Sequence, residues 1–329
     1  MSTFDRKKYR EIVADYFDAD PAIFWRDFLA AYAVFIGSVV ALFMLEPLWQ
    51  RAVAFVIAAF MAYRCASYVH EIVHLPKSRF GAFIKGWNIM IGIPFLMPSV
   101  MYESHMDHHL PRKYATMEDP EYLPLAGSGA WPVLWFVLHH AVVTPFVLYI
   151  RMLVGLPVRL VSAKGADYLD RRFSSLVINW QYDRRNKTKK SLLMALEAYV
   201  LVSAVVGTVL VNQGLLNPLD IALMVSVIML SLVFNAVRTL GAHRYENHDL
   251  QAVGAKEQLL DSLNYTGPAW IGAFMAPVGL RFHALHHLFP TIPYYQLEGA
   301  HKALMANLDA DDAYRQTAFS SYLGQMFGL

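Results

Sequence analysis

Eight of the thirteen histidines in this 329-residue chain fall in three five-residue windows. They read His70-Glu71-Ile72-Val73-His74, His105-Met106-Asp107-His108-His109 and His283-Ala284-Leu285-His286-His287. On a helix, residues three and four apart share a face. H-x-x-x-H therefore presents two imidazoles together, and H-x-x-H-H presents two or three. Imidazole is a good ligand for iron, zinc, copper and nickel. Eight imidazoles exceed the needs of one ion and suit two neighbouring ions. Pro76, Pro111 and Pro290 follow the windows within three residues, so each window ends at a helix stop. Ordinary surface or core histidines would not repeat one spacing three times.

The elements that must position these groups are apolar. Apolar residues make up 56% of the chain, charged residues 16%, and mean hydropathy is +0.34. This excludes a disordered chain. The single cysteine, Cys65, excludes a disulfide scaffold, a cysteine-ligated zinc and an iron–sulfur cluster. The net charge of +2 gives no reason to expect a nucleic-acid partner.

Four stretches, roughly 28–46, 49–68, 192–213 and 219–241, are long enough to cross a bilayer, which takes ~20 helical residues. Short links carrying Pro47, Gly214 and Pro218 pair them into two hairpins. Residues 1–27, 75–130, 151–190 and 242–329 hold 5, 5, 10 and 5 of the 28 lysines and arginines. That bias places these segments in the cytoplasm. The expectation is an all-α integral membrane protein, one domain over 1–329. Four transmembrane helices in two hairpins carry a cytoplasmic helical cap, 70–190 and 242–329, which holds a histidine-rich di-metal site. Residues 82–101 and 131–150 are expected to be interfacial or re-entrant helices, because prolines and polar residues interrupt them. The basic run 171–190 suits anionic lipid headgroups.

His70 and His74 directly follow the second stretch. His243 follows the fourth in the same way, which makes it a ninth ligand candidate. His248 is expected either to stand behind the ligands or to face solvent, His139 and His140 to belong to the interfacial helix, and His301 to lie on the surface. Glu71, Glu103 and Asp107 are the carboxylates expected to orient the imidazoles.

These windows, with HHLFPTIPYYQLEGAHKAL at 286–304, resemble the membrane fatty acid desaturase family over about residues 60–305. The resemblance implies two irons at the membrane surface. They would be held by His70, His74, His105, His108, His109, His283, His286 and His287, with His243 as a further ligand. It implies oxygen as co-substrate and a lipid acyl chain as substrate. No His-Pro-Gly-Gly haem mark occurs, so electrons are expected from a separate ferredoxin- or cytochrome-b5-like protein and its reductase.

Within the family, His283 stands where front-end desaturases usually have glutamine. The first window is also one residue shorter than in acyl-CoA Δ9 desaturases. Both departures point to acyl-lipid, sphingolipid or methyl-end enzymes. The expected reaction is oxygen-dependent desaturation of a lipid acyl chain. Lipid and carotenoid hydroxylases and ketolases share such windows and form the nearest alternative. His70-Glu71-x-x-His74 also matches the zinc-protease signature, with Glu71 as general base, but that reading leaves the other two windows unexplained.

Overall fold

The computed structural model describes residues 3–184 and 190–328. It is mostly helical. Asp20 caps the first long helix, Pro21–Met44, by accepting the Ala22 N–H at 2.8 Å, and Pro21 begins it. Asn217 and Pro218 open Pro218–Leu240 in the same manner. Both caps satisfy amide groups that a helix start leaves free. The other two long helices are Leu48–Ile72 and Lys190–Asn212. The first expected hairpin packs along its length, whereas the helices of the second pair are joined by the short link 213–217 and pack elsewhere, Lys190–Asn212 on Thr144–Val161 and Pro218–Leu240 on Leu48–Ile72. The second helix continues to Ile72, so the first histidine window begins on its last turn. Val34, Val40, Val53, Val202 and Val205 stay exposed on the outer faces, as lipid-facing side chains do.

The expected short helix at 131–150 is part of a longer one, Ala130–Val161, of 32 residues. It passes without a break through a π-turn at His139–Val143 and tolerates Pro145 and Pro157. Five helices, not four, are thus long and apolar enough to cross a membrane. The contacts of this fifth helix are informative. Val133 and Phe136, near its start, pack with Ala236 and Leu240. Arg151 and Arg159, near its end, bond Glu197 at 2.5 and 2.6 Å, and Asp170 joins them. Leu240 and Glu197 belong to the same end of the second hairpin. Residues 82–101 form the short helix Lys77–Trp87, a π-turn at Asn88–Gly92 and turns, none of which makes a spanning helix. Of the basic run 171–190, Arg185, Lys187 and Lys189 lie outside the described residues.

Strand pairing is minimal but well placed. Asn264–Tyr265 pairs in parallel with Ala318–Phe319. Single bridges join His243 to Ser262 and Asn264 to Phe282. The segment 262–264 thus lies between the end of the fourth long helix and the start of the third window, drawing His243 and His283 together. Gly279, at φ +71°, turns the chain into that window. A side chain there would meet the Tyr294 Cα at 2.9 Å.

Candidate metal centre

The second and third windows each divide between two clusters, the i, i+4 pair staying together and the remaining histidine joining the other cluster, while both histidines of the first window lie at one cluster. Nitrogens of His70, His105, His109 and His286 all lie within 4.8 Å of one another. Those of His108, His243, His283 and His287 do the same. The pairs at i, i+4 meet directly. His105 Nε2 and His109 Nε2 are 2.9 Å apart, and His283 Nε2 and His287 Nε2 are 3.1 Å apart. His243 Nε2 stands 2.9 Å from His283 Nε2. The clusters adjoin where the His109 and His287 rings stack at 4.4 Å.

His74 lies just outside the first cluster. Its ring is 4.7 Å from that of His109 and 4.8 Å from that of His286, and its buried Nε2 has no partner. A surface cavity of about 280 Å³, lined in part by Glu71, His74 and Pro290–Pro293, reaches it.

The arrangement fits metal ions. Two nitrogens bound to one ion at about 2.1 Å and at right angles stand about 3.0 Å apart, which is the spacing seen. Both nitrogens of His70 and His286, and one each of His74, His109 and His283, are buried without a partner among the described residues. Unpaired buried polar atoms are costly, and an ion would relieve that cost. Burial, reinforced by neighbouring imidazoles, holds His109, His283, His286 and His287 well below the usual histidine value. They are neutral near pH 7, the state in which imidazole binds metal.

The outward Nδ1 atoms of His105, His108, His243 and His287 have partners that fix the rings. His105 donates to Glu121 at 2.7 Å, and His108 to both oxygens of Asp119 at 2.9 Å. With Nε2 turned inward, His243 donates from Nδ1 to the Tyr114 hydroxyl at 2.8 Å, which donates to Asp261 at 2.5 Å. Gln258 lies 3.1 Å from His287 Nδ1. Burial works against charge on Glu121, yet the adjacent His105 pulls its carboxyl down to about 2. Burial also disfavours charge on His108, and Asp119 reverses this to raise it.

The carboxylates expected from sequence do not perform this task. Glu103 pairs with Lys77 and Arg184, and Asp107 with Lys113 and the Tyr182 hydroxyl. Glu71 accepts the Tyr294 N–H at 2.9 Å. Helical adjacency put them beside the histidines in sequence but turned them to other faces. Asp119 and Glu121 return to the centre from the loop after the second window. The one signal for them is a pair of acids two apart in the Pro-bearing run Met117–Pro124.

His301 is not a surface residue. It is buried, its Nδ1 lies 2.7 Å from the Tyr314 hydroxyl, and its ring packs on Phe282. Its helix turns it inward, which a lone Ala-His-Lys does not reveal. His248 is exposed, as expected. His139 and His140 lie on the fifth helix, against Trp180 and the Phe136 carbonyl.

The sequence pattern of the fatty acid desaturase family matches residues 47–318, which contain all nine of these histidines. The chain belongs to the fatty acid desaturase family. A ceramide hydroxylase from Caulobacter vibrioides (strain NA1000 / CB15N) is 32% identical to it over 312 residues, covering 93% of this chain and 88% of that protein. As a member of this family the chain is a membrane oxidoreductase that modifies lipids.

Proposed function

We propose that the protein is an oxygen-dependent hydroxylase of a ceramide-like lipid, with two irons held by the nine histidines. His70, His74, His105, His109 and His286 bind one ion. His108, His243, His283 and His287 bind the other. The observation that carries the two-ion reading is the gathering of eight histidines into two separate clusters of four, with the second and third windows divided between them. Likeness to a ceramide hydroxylase over nearly the whole chain carries the reaction. The desaturation expected from sequence differs from hydroxylation only after the first hydrogen is removed.

An unactivated C–H bond resists every side chain, and two irons with oxygen supply the oxidant that breaks it. The balance is one oxygen atom into the product as hydroxyl, one into water, with two electrons and two protons consumed. The electrons come from a separate donor protein on the cytoplasmic side. The chain's own residues do the positioning. Asp119, Glu121 and the Tyr114–Asp261 pair hold the imidazole rings in place and fix their protons on Nδ1. Burial keeps His109, His283, His286 and His287 neutral and keeps bulk water away from the centre. Glu71, engaged by the Tyr294 amide, is not poised as the base of a zinc protease.

The test is conversion of a saturated ceramide by purified protein with oxygen and a ferredoxin or cytochrome b5 donor system, read by mass. A product heavier by one oxygen atom supports the proposal. A product lighter by two hydrogens returns the reading to desaturation. No conversion in the wild type, with metal bound, overturns the substrate.

A further inference from the structure

Arg238 sits on the last full turn of Pro218–Leu240, five residues before His243. It is only 9% exposed. A buried cation at the end of a spanning helix ordinarily faces a carboxylate. Among the described residues, Arg238 has no such ion pair. One Nη donates to Asn235 Oδ1 at 3.1 Å, and the buried Nε has no partner among the described residues. The next residue, Thr239, accepts the Tyr245 hydroxyl at 2.7 Å, and the Tyr245 ring packs on His243, so this turn adjoins the metal centre.

Phe234, four residues before Arg238 on the same helix face, belongs to a group of aromatic rings. Phe60 stacks on Phe274 at 4.5 Å, and Phe234 meets both edge-on at 6.3 and 5.6 Å. Tyr63 adjoins Phe234. Phe274 and Trp270 are exposed on the short apolar helix Ala269–Met275. An apolar wall with exposed rings therefore adjoins a buried guanidinium whose Nε lacks an acceptor among the described residues.

We propose that Arg238 reads the headgroup of the lipid substrate, donating hydrogen bonds to the amide carbonyl and hydroxyl oxygens of a ceramide-like molecule that enters past Phe60 and Phe274. The inference rests on the ceramide reading above. A plain hydrocarbon leaves the guanidinium unsatisfied, and a site built to pair a polar group discriminates strongly against ligands lacking it. A headgroup held on Arg238 also brings to the metal centre a carbon only a few bonds from the amide.

Binding of a short-chain fluorescent ceramide is compared with that of the matching fluorescent alkane, which lacks amide and hydroxyls. Wild type, Arg238→Met and Arg238→Lys are measured in lipid nanodiscs, with metal content determined for each. Arg238→Met should weaken ceramide binding by about tenfold or more, the loss of a charge-assisted hydrogen bond. Alkane binding and metal content should hold, and Arg238→Lys should recover part of the ceramide preference. If Arg238→Met does not fold, a reduced ceramide-over-alkane preference in Arg238→Lys supports the inference and an unchanged preference overturns it. Unchanged ceramide binding in Arg238→Met, or equal loss of both probes, also overturns it. Wild-type turnover of ceramide is scored separately. Its absence alongside an Arg238-dependent ceramide preference would refute the reaction proposed above and leave the headgroup contact standing.

Discussion

His108 and His243 stand 135 residues apart in the chain and turn their Nε2 atoms to one another at 3.2 Å. Each is anchored from behind, His108 by Asp119 and His243 by Tyr114. One cluster is thus assembled from the second window, the third window and the end of a long helix. Its geometry depends on the acids and phenols around it as much as on the histidines.

The Asp119 carboxylate accepts from His108 and also from the amides of Ala115 and Glu121. Asp119→Asn puts an N–H against one of these donors. Metal affinity should fall by about 10–100-fold, as read by chelator competition, with helix content unchanged by circular dichroism. Unaltered affinity would mean that Asp119 does not set the orientation of His108.

Glu71→Gln should leave ceramide turnover within about threefold of wild type, because an amide oxygen still accepts the Tyr294 N–H. A general base replaced by Gln loses several orders of magnitude in kcat. Such a loss, without loss of metal, would revive the hydrolytic reading of His70-Glu71-x-x-His74.

The windows and His243 were legible because helix periodicity and position after an apolar run are local properties of a sequence. Four of the long helices were legible for the same reason, their ends moving by a few residues to reach caps such as Asp20 and Asn217. The partition of the second and third windows between two clusters was not, since it depends on which rings meet across the fold. Asp119, Glu121 and Asp261 were missed because the chain returns them to the site from loops and from a short helix, while Glu103 and Asp107 were favoured by mere adjacency. The helix at 131–150 was expected, but its continuation to Val161 was not, because Pro145 and the His139-His140 pair read as interruptions. A π-turn absorbs them.

Sidedness follows from the contacts of that fifth helix with one end of the second hairpin. In a Cys65→Ala background, single cysteines at the exposed positions Glu118 and Lys164 flank Ala130–Val161. Both should react with a membrane-impermeant maleimide from the cytoplasmic side only, and a cysteine at Gln213 from the opposite side only. Labelling of positions 118 and 164 from opposite faces would make the fifth helix a true span.

Burial holds His301 down to about 4, against about 6.5 in an unfolded chain. The unfolded chain therefore binds the proton more readily. The stability from neutral, buried His301 is complete above about pH 6.5 and is lost as pH falls toward 4, on the order of 2–3 kcal/mol. His301→Gln removes this titration. The difference in unfolding midpoint between pH 7 and pH 5 should be smaller in the variant than in the wild type. Equal differences would remove His301 from the acid response.

The central claim is a pair of metal ions, one for each histidine cluster. Elemental analysis of the purified, iron-reconstituted protein tests it most directly. The account predicts iron near two per chain, one for each cluster. One ion per chain, or zinc retained in place of iron after reconstitution, would contradict it.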